Sequence, residues 1–337
     1  MKRVSIKDIA DAVGLSTASV SIVLSGKNKN GRVGKKTAEK ILATAKTMHY
    51  QPNFLAQSLQ SGKSKTIGLL VADICNPFFA LVASKIQTEL QKMDYAVIIV
   101  NTGEDAGRMD KLIRLLRARQ VDGLIVVPTA NGEESIHDLV ESKMPLVLFD
   151  RYFPQFETFN VLANGYKAVF DATKHKIATG KTNIKFFTYN TPLNSIKGRE
   201  LGYINAMKEA QLDKFIDIVS VDYYHVEEEI KEKIEQFREI EQQQMCIICS
   251  SNNVSVSTLQ ALKEHKVNIG KTVDVICFDN SEVYHFVDGN FVYIEQPTDE
   301  MSVKVVSLLM EQINNTDRNN VTHTIEMSCK FMSKTNQ

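Results

Sequence analysis

Tryptophan is absent from this 337-residue chain, and cysteine (5) and proline (7) are scarce. Cys75, Cys246, Cys249, Cys277 and Cys329 are an odd number scattered over a long sequence, which argues against a disulfide framework and for reduced thiols. Cys246 and Cys249 form a CxxC, but it sits in the apolar run Met-Cys-Ile-Ile-Cys-Ser with no second Cys or His pair nearby. Two thiols in a buried strand are expected there, not a metal or redox site. No apolar run approaches the ~20 residues of a membrane span. The opening MKRVSIKDIADAV carries charge where a signal peptide needs a continuous apolar stretch, so a cytoplasmic location is expected. The 7 histidines are isolated, and neither a GxxxxGK[ST] loop nor a Ser/His/Asp elbow is present. The expectation is therefore a non-enzyme with no metal and no cofactor.

Net charge is missing as well, with 40 basic against 40 acidic side chains, but that zero hides a split. Residues 1–65 hold 12 Lys/Arg and 3 Asp/Glu, a net of +9, so the remainder is −9. A basic head on an acidic body points to a head that meets a polyanion. Ser5 followed by Ile6, Ile9, Ala10 and Val13 predicts a capped amphipathic helix that ends at Gly14. Ser16 or Thr17 caps a second short helix whose inner face is Val20, Val23 and Leu24. A third, about Lys35 to His49, is expected to bury Ala38, Ile41, Leu42, Ala45 and Met48 and to show Lys35, Lys36, Lys40 and Lys46 outward. Two short helices joined by Gly-Leu-Ser match a helix-turn-helix, whose second helix enters the DNA major groove. A small helical bundle with a solvated basic face fits the same periodicity.

The stretch VSIKDIADAVGLSTASVSIVLSGK, then Tyr50-Gln51-Pro52-Asn53 with Ala56-Gln57-Ser58-Leu59, Lys65-Thr66-Ile67-Gly68-Leu69 and Asp73-Ile74-Cys75-Asn76-Pro77-Phe78-Phe79, resembles the lactose/galactose repressor (LacI-type) family. The resemblance runs the length of the chain. It implies that Thr17, Ala18 and Ile22 form the base-reading face of the second helix. Ile22 stands where many members carry arginine; Ile and Ala pack against thymine methyl groups and cannot hydrogen-bond guanine, so A·T pairs are expected beneath it. Ser16 is counted with the DNA-binding residues at the start of that helix, and Ser19, Ser21, Lys27, Lys29 and Arg32 are expected at phosphates. Phe54 to Ser61, capped by Asn53, is too short to be a stable helix alone and reads as a linker. The resemblance makes it a hinge helix formed on DNA, with Leu59 as a minor-groove wedge and Gln57 where arginine is common.

From Thr66 onward, short apolar runs (Ile67–Ala72, Ala96–Val100, Leu124–Val127, Leu146–Phe149, Ile184–Thr188, Ile218–Val221, Cys246–Cys249, Val273–Phe278, Phe291–Ile294) alternate with stretches of helical spacing. That rhythm, occurring twice, predicts two lobes of parallel sheet covered by helices. Ligands of such sheets bind beyond the carboxyl ends of strands. Those positions carry Asp73, Asp150-Arg151, Ser250 to Asn253 and Asp279-Asn280, while Arg199 begins a helix of the second lobe. Taken singly, each is an ordinary helix cap; together they form a carboxylate, amide and guanidinium pocket suited to hydroxyls, with Phe78 or Phe79 stacking on a ring. By resemblance Asp150, Arg199 and Asp279 match effector-binding positions. Asn252 stands where aspartate is frequent, with Asn253 as its substitute; Tyr152-Phe153-Pro154 and Asn194 are further candidates. Glu227 to Gln244 reads as a solvated helix.

The expected architecture is an all-α helix-turn-helix head (1–50), a hinge helix or linker (51–64), and a two-lobed α/β periplasmic-binding-protein-like domain with parallel sheets (65–337). By resemblance the chain crosses between lobes near Ala163, Asn290 and Asn320, giving a first lobe of approximately 65–162 and 291–320 and a second of 163–290 and 321–337. The expected function is a sequence-specific, homodimeric DNA-binding transcription regulator, a repressor, controlled by a sugar or sugar derivative. Its partners are then a pseudo-palindromic double-stranded operator and a carbohydrate effector, with no membrane. Helices Phe78–Met93 and Met109–Arg119 are candidates for the dimer interface, and no leucine heptads follow Met332 to make a tetramer. A plain sugar-binding or transport-receptor protein with the same body, or a sugar-processing enzyme, are the alternatives.

Overall fold

The computed structural model describes residues 4–26, 28, 31–51, 62–236, 245–315 and 323–334. Lys27, Lys29, Asn53, Gln57 and Leu59, with the expected hinge helix, lie outside the described residues. Two compact units are present, Met1–Ser64 and Lys65–Gln337.

In the first unit, α1 (Ile6–Val13) opens with a capping box: Ser5 Oγ accepts from the Asp8 amide at 3.2 Å, and the Asp8 carboxylate accepts from the Ser5 amide at 2.7 Å. Gly14, at φ 72°, closes it. Ser16 caps α2 (Thr17–Leu24), and α3 (Lys35–Thr47) follows. Ile9, Ala10, Val13, Val20, Val23, Ile41 and Ala45 make one small core. One expectation fails here. Leu42 is 53% exposed, because the α3 face turned to α1 and α2 is centred on Ile41 and Ala45. Lys40 is exposed as expected, and its Nζ also donates to the Val13 carbonyl at 3.2 Å, placing a cation on the negative end of α1. Lys40→Ala should therefore cost about 1 kcal/mol of head stability and leave the salt slope of DNA binding unchanged. A slope reduced by about one would assign Lys40 to a phosphate instead.

The second unit holds two sheets. The first runs in the order β11-β5-β4-β3-β1-β2, with β1 (Thr66–Val71), β2 (Ala96–Asn101), β3 (Gly123–Val126), β4 (Leu146–Phe149), β5 (Phe159–Ala163) and β11 (His323–Met327). The second runs β12-β10-β9-β8-β6-β7, with β6 (Ile184–Tyr189), β7 (Asp217–Val221), β8 (Cys246–Cys249), β9 (Asp274–Phe278), β10 (Phe291–Glu295) and β12 (Lys330–Lys334). Among the described residues all strand pairings are parallel except β10 with β12. The helices are α4 (Pro77–Gln91), α5 (Ala106–Ala118), α6 (Glu133–Glu141), α7 (Gly165–Ala178), α8 (Asn194–Glu209), α9 (Val226–Gln236), α10 (Asn252–Glu264) and α11 (Thr298–Asn314).

The chain crosses between sheets after β5, between β10 and α11, and between β11 and β12. The crossings expected near Asn290 and Asn320 thus fall later, around Gln296-Pro297 and Ser328-Cys329. β10 stays in the second sheet because its register with β9 (Ile294 beside Phe278) completes that core, and α11 then packs Met301, Val305 and Leu309 on the first. In each sheet the first strand, β1 or β6, lies between its successor and the third strand, which creates a switch point where flanking loops diverge and leave a crevice.

Candidate functional site

Asp150 directly follows β4, and Asp279 directly follows β9, the corresponding strand of the other sheet. Both adopt left-handed backbone, φ 65° and 68°, a region aspartate tolerates better than most residues. Both amides donate to the neighbouring strand, Asp150 to the Val161 carbonyl (2.9 Å) and Asp279 to that of Ile294 (2.8 Å). The same local device therefore aims one carboxylate from each lobe at a shared cavity.

Arg199 stands between them. It lies in the second turn of α8, and Gly165 makes room for it: a Cβ on that glycine would sit 2.9 Å from Arg199 Cγ. Its Nη1 donates to the Ser250 carbonyl at 2.6 Å, its plane covers the Phe278 ring at 3.7 Å, and its Nη2 is 4.0 Å from Asp150. Gln296, at the crossing after β10, donates to the Asp279 carboxylate at 2.6 Å. Arg151 is clamped by Glu104 in a two-pronged pair at 2.7 and 2.8 Å and also donates to the Pro128 carbonyl. Burial alone would lower the Arg151 pKa, but Glu104 outweighs it and holds the guanidinium protonated.

These groups surround a cavity of about 240 Å³. Phe78 and Phe79, edge to face with centroids 5.0 Å apart, form one wall; Pro77 and the Asn76 cap start α4 so that both rings fall in its first turn. Tyr189, Tyr223 and Ser251 close the other side. Of the lining side chains, Arg199 Nε, Arg151 Nε and Gln296 Oε1 are buried without a hydrogen-bond partner among the described residues. Buried polar atoms rarely stay unpaired in a native state, so a polar guest is the natural complement.

Of the sequence candidates, Phe78, Phe79, Asp150, Arg151, Arg199, Ser251 and Asp279 line this cavity. Asp73 does not; its carboxylate accepts from the Cys75 amide at 3.0 Å and from the Tyr223 hydroxyl at 3.3 Å, tying a second-lobe loop to the first lobe. Asn252 is likewise behind the wall, its amide N–H directed at Asp279, because Ser251 caps α10 and takes the lining position; Asn253 reaches the Tyr189 side chain. Tyr152, Phe153, Pro154 and Asn194 border an adjoining cavity of about 210 Å³. Glu104, Tyr189, Tyr223 and Gln296 escape the sequence reading, although all lie just past or at the ends of strands.

Comparison with known proteins decides the family. A model of the periplasmic binding proteins and sugar binding domain of the LacI family matches residues 64–335, and one of the bacterial regulatory proteins of the lacI family matches residues 5–53. The chain belongs to the LacI family. It is 29% identical over 325 residues to the ribose operon repressor of Haemophilus influenzae, covering 96% of each chain. The crystal structure of a putative ribose operon repressor from Burkholderia thailandensis aligns with a TM-score of 0.67 at 25% identity, over 80% of this chain and 99% of that one. The lac repressor dimer bound to operator and the anti-inducer ONPF aligns with a TM-score of 0.83 at 16% identity over 98% of both chains, a likeness of fold. This LacI-family member is an effector-controlled, DNA-binding transcription regulator. Among its described residues no helix is long and apolar enough to cross a membrane.

In this regulator burial pushes the Asp279 carboxyl up to about 6 against the opposing pull of Arg199. A carboxyl raised above the 3.8 of an exposed aspartate favours the folded state fully below about 3.8, an advantage lost as pH rises through about 6. For a ligand whose hydroxyls donate to Asp279, binding would run the other way, since the ionised carboxylate is the better acceptor. Effector affinity should fall up to about tenfold per pH unit below pH 6, measured by calorimetric titration. Asp279→Asn should flatten that profile; an unchanged profile would place the titrating group elsewhere.

Proposed function

We propose that this regulator represses transcription as a cytoplasmic homodimer on a pseudo-palindromic operator, and that the cavity at Asp150, Arg199, Asp279 and Gln296 takes a sugar or sugar derivative that resets DNA affinity. The convergence of two carboxylates, a guanidinium and an amide beside a pair of phenylalanines carries this reading. Adjacent hydroxyls of a sugar donate to carboxylates and accept from the guanidinium, while the aliphatic face of the ring rests on Phe78 or Phe79. A cavity of about 240 Å³ is below the range for drug-sized ligands, which favours a monosaccharide. The ribose named for the Haemophilus and Burkholderia relatives is a sugar of that size. The protein acts by binding, without turnover.

For the head, we assign base reading to Thr17, Ala18 and Ile22, with Ser16 as cap and Ser19, Ser21, Lys27, Lys29 and Arg32 toward phosphates. Asn53, Gln57 and Leu59 belong to the hinge. Thr17 and Ala18 are exposed, as this requires, and Asn28 supports the loop bearing Arg32 through two 2.9 Å hydrogen bonds with Val33. Dimerisation is assigned to the α4 and α5 side, where Leu81 and Leu115 remain exposed. Differential closure of the lobes on the effector, a coupling of about 1–3 kcal/mol, then changes operator affinity roughly 5–150-fold.

Two measurements test it together: thermal shift across monosaccharides, nucleosides and amino acids, and selection of duplexes from a random pool with and without the hit. A stabilising sugar that alters enrichment, with A·T pairs beneath Ile22, is expected. A fixed G·C pair there would refute the Ile22 assignment, and a pool that never enriches would end the operator reading.

A further inference from the structure

The charges that line the cavity are four carboxylates, Glu104, Asp150, Asp222 and Asp279, against two guanidiniums, Arg151 and Arg199. Both cations already face carboxylates or a carbonyl, although Arg199 Nε has no hydrogen-bond partner among the described residues. Arg151, 8% exposed in its side chain, has both terminal nitrogens on Glu104, and its Nε lies 3.3 Å from Asp150. Arg199 is held by the Ser250 carbonyl, the Phe278 ring and Asp150. Among the described residues no lysine or histidine lines the cavity. The first turn of α8, where Leu193 supplies no side-chain cap, favours negative charge, but a helix terminus alone is a weak counterweight to that surplus. A phosphate entering this cavity meets three poorly solvated carboxylates, Glu104, Asp150 and Asp279, a surplus of one over the two buried guanidiniums, with Asp222 exposed to solvent.

We infer that the cavity selects an uncharged polyol and rejects its phosphorylated form, and that Glu104 sets this choice by occupying Arg151. The inference rests on the cavity being the effector site, as proposed above. Glu104 is suited to such a role: it projects from the turn after β2 at φ 57°, and its carboxylate, 10% exposed, has both oxygens on one guanidinium. Removing its charge while keeping its shape cuts the carboxylate surplus around the cavity by one and releases the terminal nitrogens of Arg151 from their carboxylate, leaving Asp150 beside Nε. The specificity is then a matter of repulsion as much as attraction.

The test uses the full-length protein titrated with D-ribose, D-glucose and D-fructose and with ribose 5-phosphate, glucose 6-phosphate and fructose 1-phosphate. Wild type is expected to bind at least one neutral sugar and to bind its phosphate at least about tenfold more weakly. Glu104→Gln should narrow that ratio about tenfold or more, while Glu104→Asp, which keeps the charge, should preserve it. Circular-dichroism melts check that both variants fold. Tighter binding of a phosphate than of its parent sugar by wild type, or an identical ratio in Glu104→Gln, overturns the charge selection and leaves the cavity assignment standing. Neutral-sugar binding that persists unchanged in Asp279→Ala overturns the cavity assignment itself.

Discussion

Arg199→Ala is expected to abolish the response to effector and to lower the melting temperature of the body by roughly 10 °C. Asp150 and Asp279 are 7% and 5% exposed, and Arg199 is the cation placed between them. Stripping one partner from a buried charge cluster costs about 3–5 kcal/mol, because the remaining charges keep their desolvation penalty. Truncation also uncovers Phe278 and opens the space against Gly165. The deficit has a diagnostic pH dependence. Without the guanidinium, the largest counterweight to burial at Asp279 is gone and only the hydrogen bonds from Gln296 and the Asn252 amide remain, so its pKa moves further upward, acidification neutralises it and the variant regains stability relative to wild type. Calorimetric melts at pH 5.5 and 7.5 measure this; equal deficits at both would show that lost packing, not charge, is the cause. Arg199→Lys should recover only part of the loss, since an ammonium cannot both cover Phe278 and reach the Ser250 carbonyl and Asp150. Operator binding without effector should survive, because the head has its own core.

Much of this site is legible in the amino-acid sequence. Asp150 and Asp279 each follow an unbroken apolar run, Leu146–Phe149 and Val275–Phe278, and an aspartate leaving such a strand points to the crevice end of a parallel sheet. Phe78 and Phe79 announce themselves behind Asn-Pro, a cap followed by a first-turn proline. Other members are hidden because their roles depend on partners distant in sequence. Glu104 looks like one acid among several in Gly-Glu-Asp until Arg151, 47 positions later, closes on it. Gln296 is unremarkable unless β10 is known to join the second sheet, and Phe-Val-Tyr-Ile-Glu carries no mark of which sheet it will enter. Asp73 and Asn252 mislead for a related reason: both stand at strand ends, yet Tyr223 and the α10 terminus engage them from behind the cavity wall. In the head, Ile41 and Leu42 both fit helical spacing; only the angle of α3 over α1 and α2 decides that one is buried and the other exposed.

Ile41→Ala is expected to remove operator binding at ordinary concentrations while leaving the effector-induced thermal shift intact. Ile41 has no exposed surface, and it fills the small core in which Ile9, Val13, Val20 and Val23 meet. Truncating a buried isoleucine to alanine costs about 2–5 kcal/mol. A unit of this size has about 3–5 kcal/mol to lose, so the variant head spends much of its time unfolded. DNA pulls it back by mass action, and the penalty therefore emerges as weakened affinity that excess operator overcomes. Ile41→Val, which deletes one methylene, should cost about 0.5–1.5 kcal/mol and bind nearly normally. The body forms a separate compact unit, so its melting transition should stay in place. Two-transition melts with gel-shift titrations check both halves. Loss of operator affinity with the head's own transition unmoved would mean that position 41 touches DNA, and a side chain sealed inside the core has no atom with which to do so.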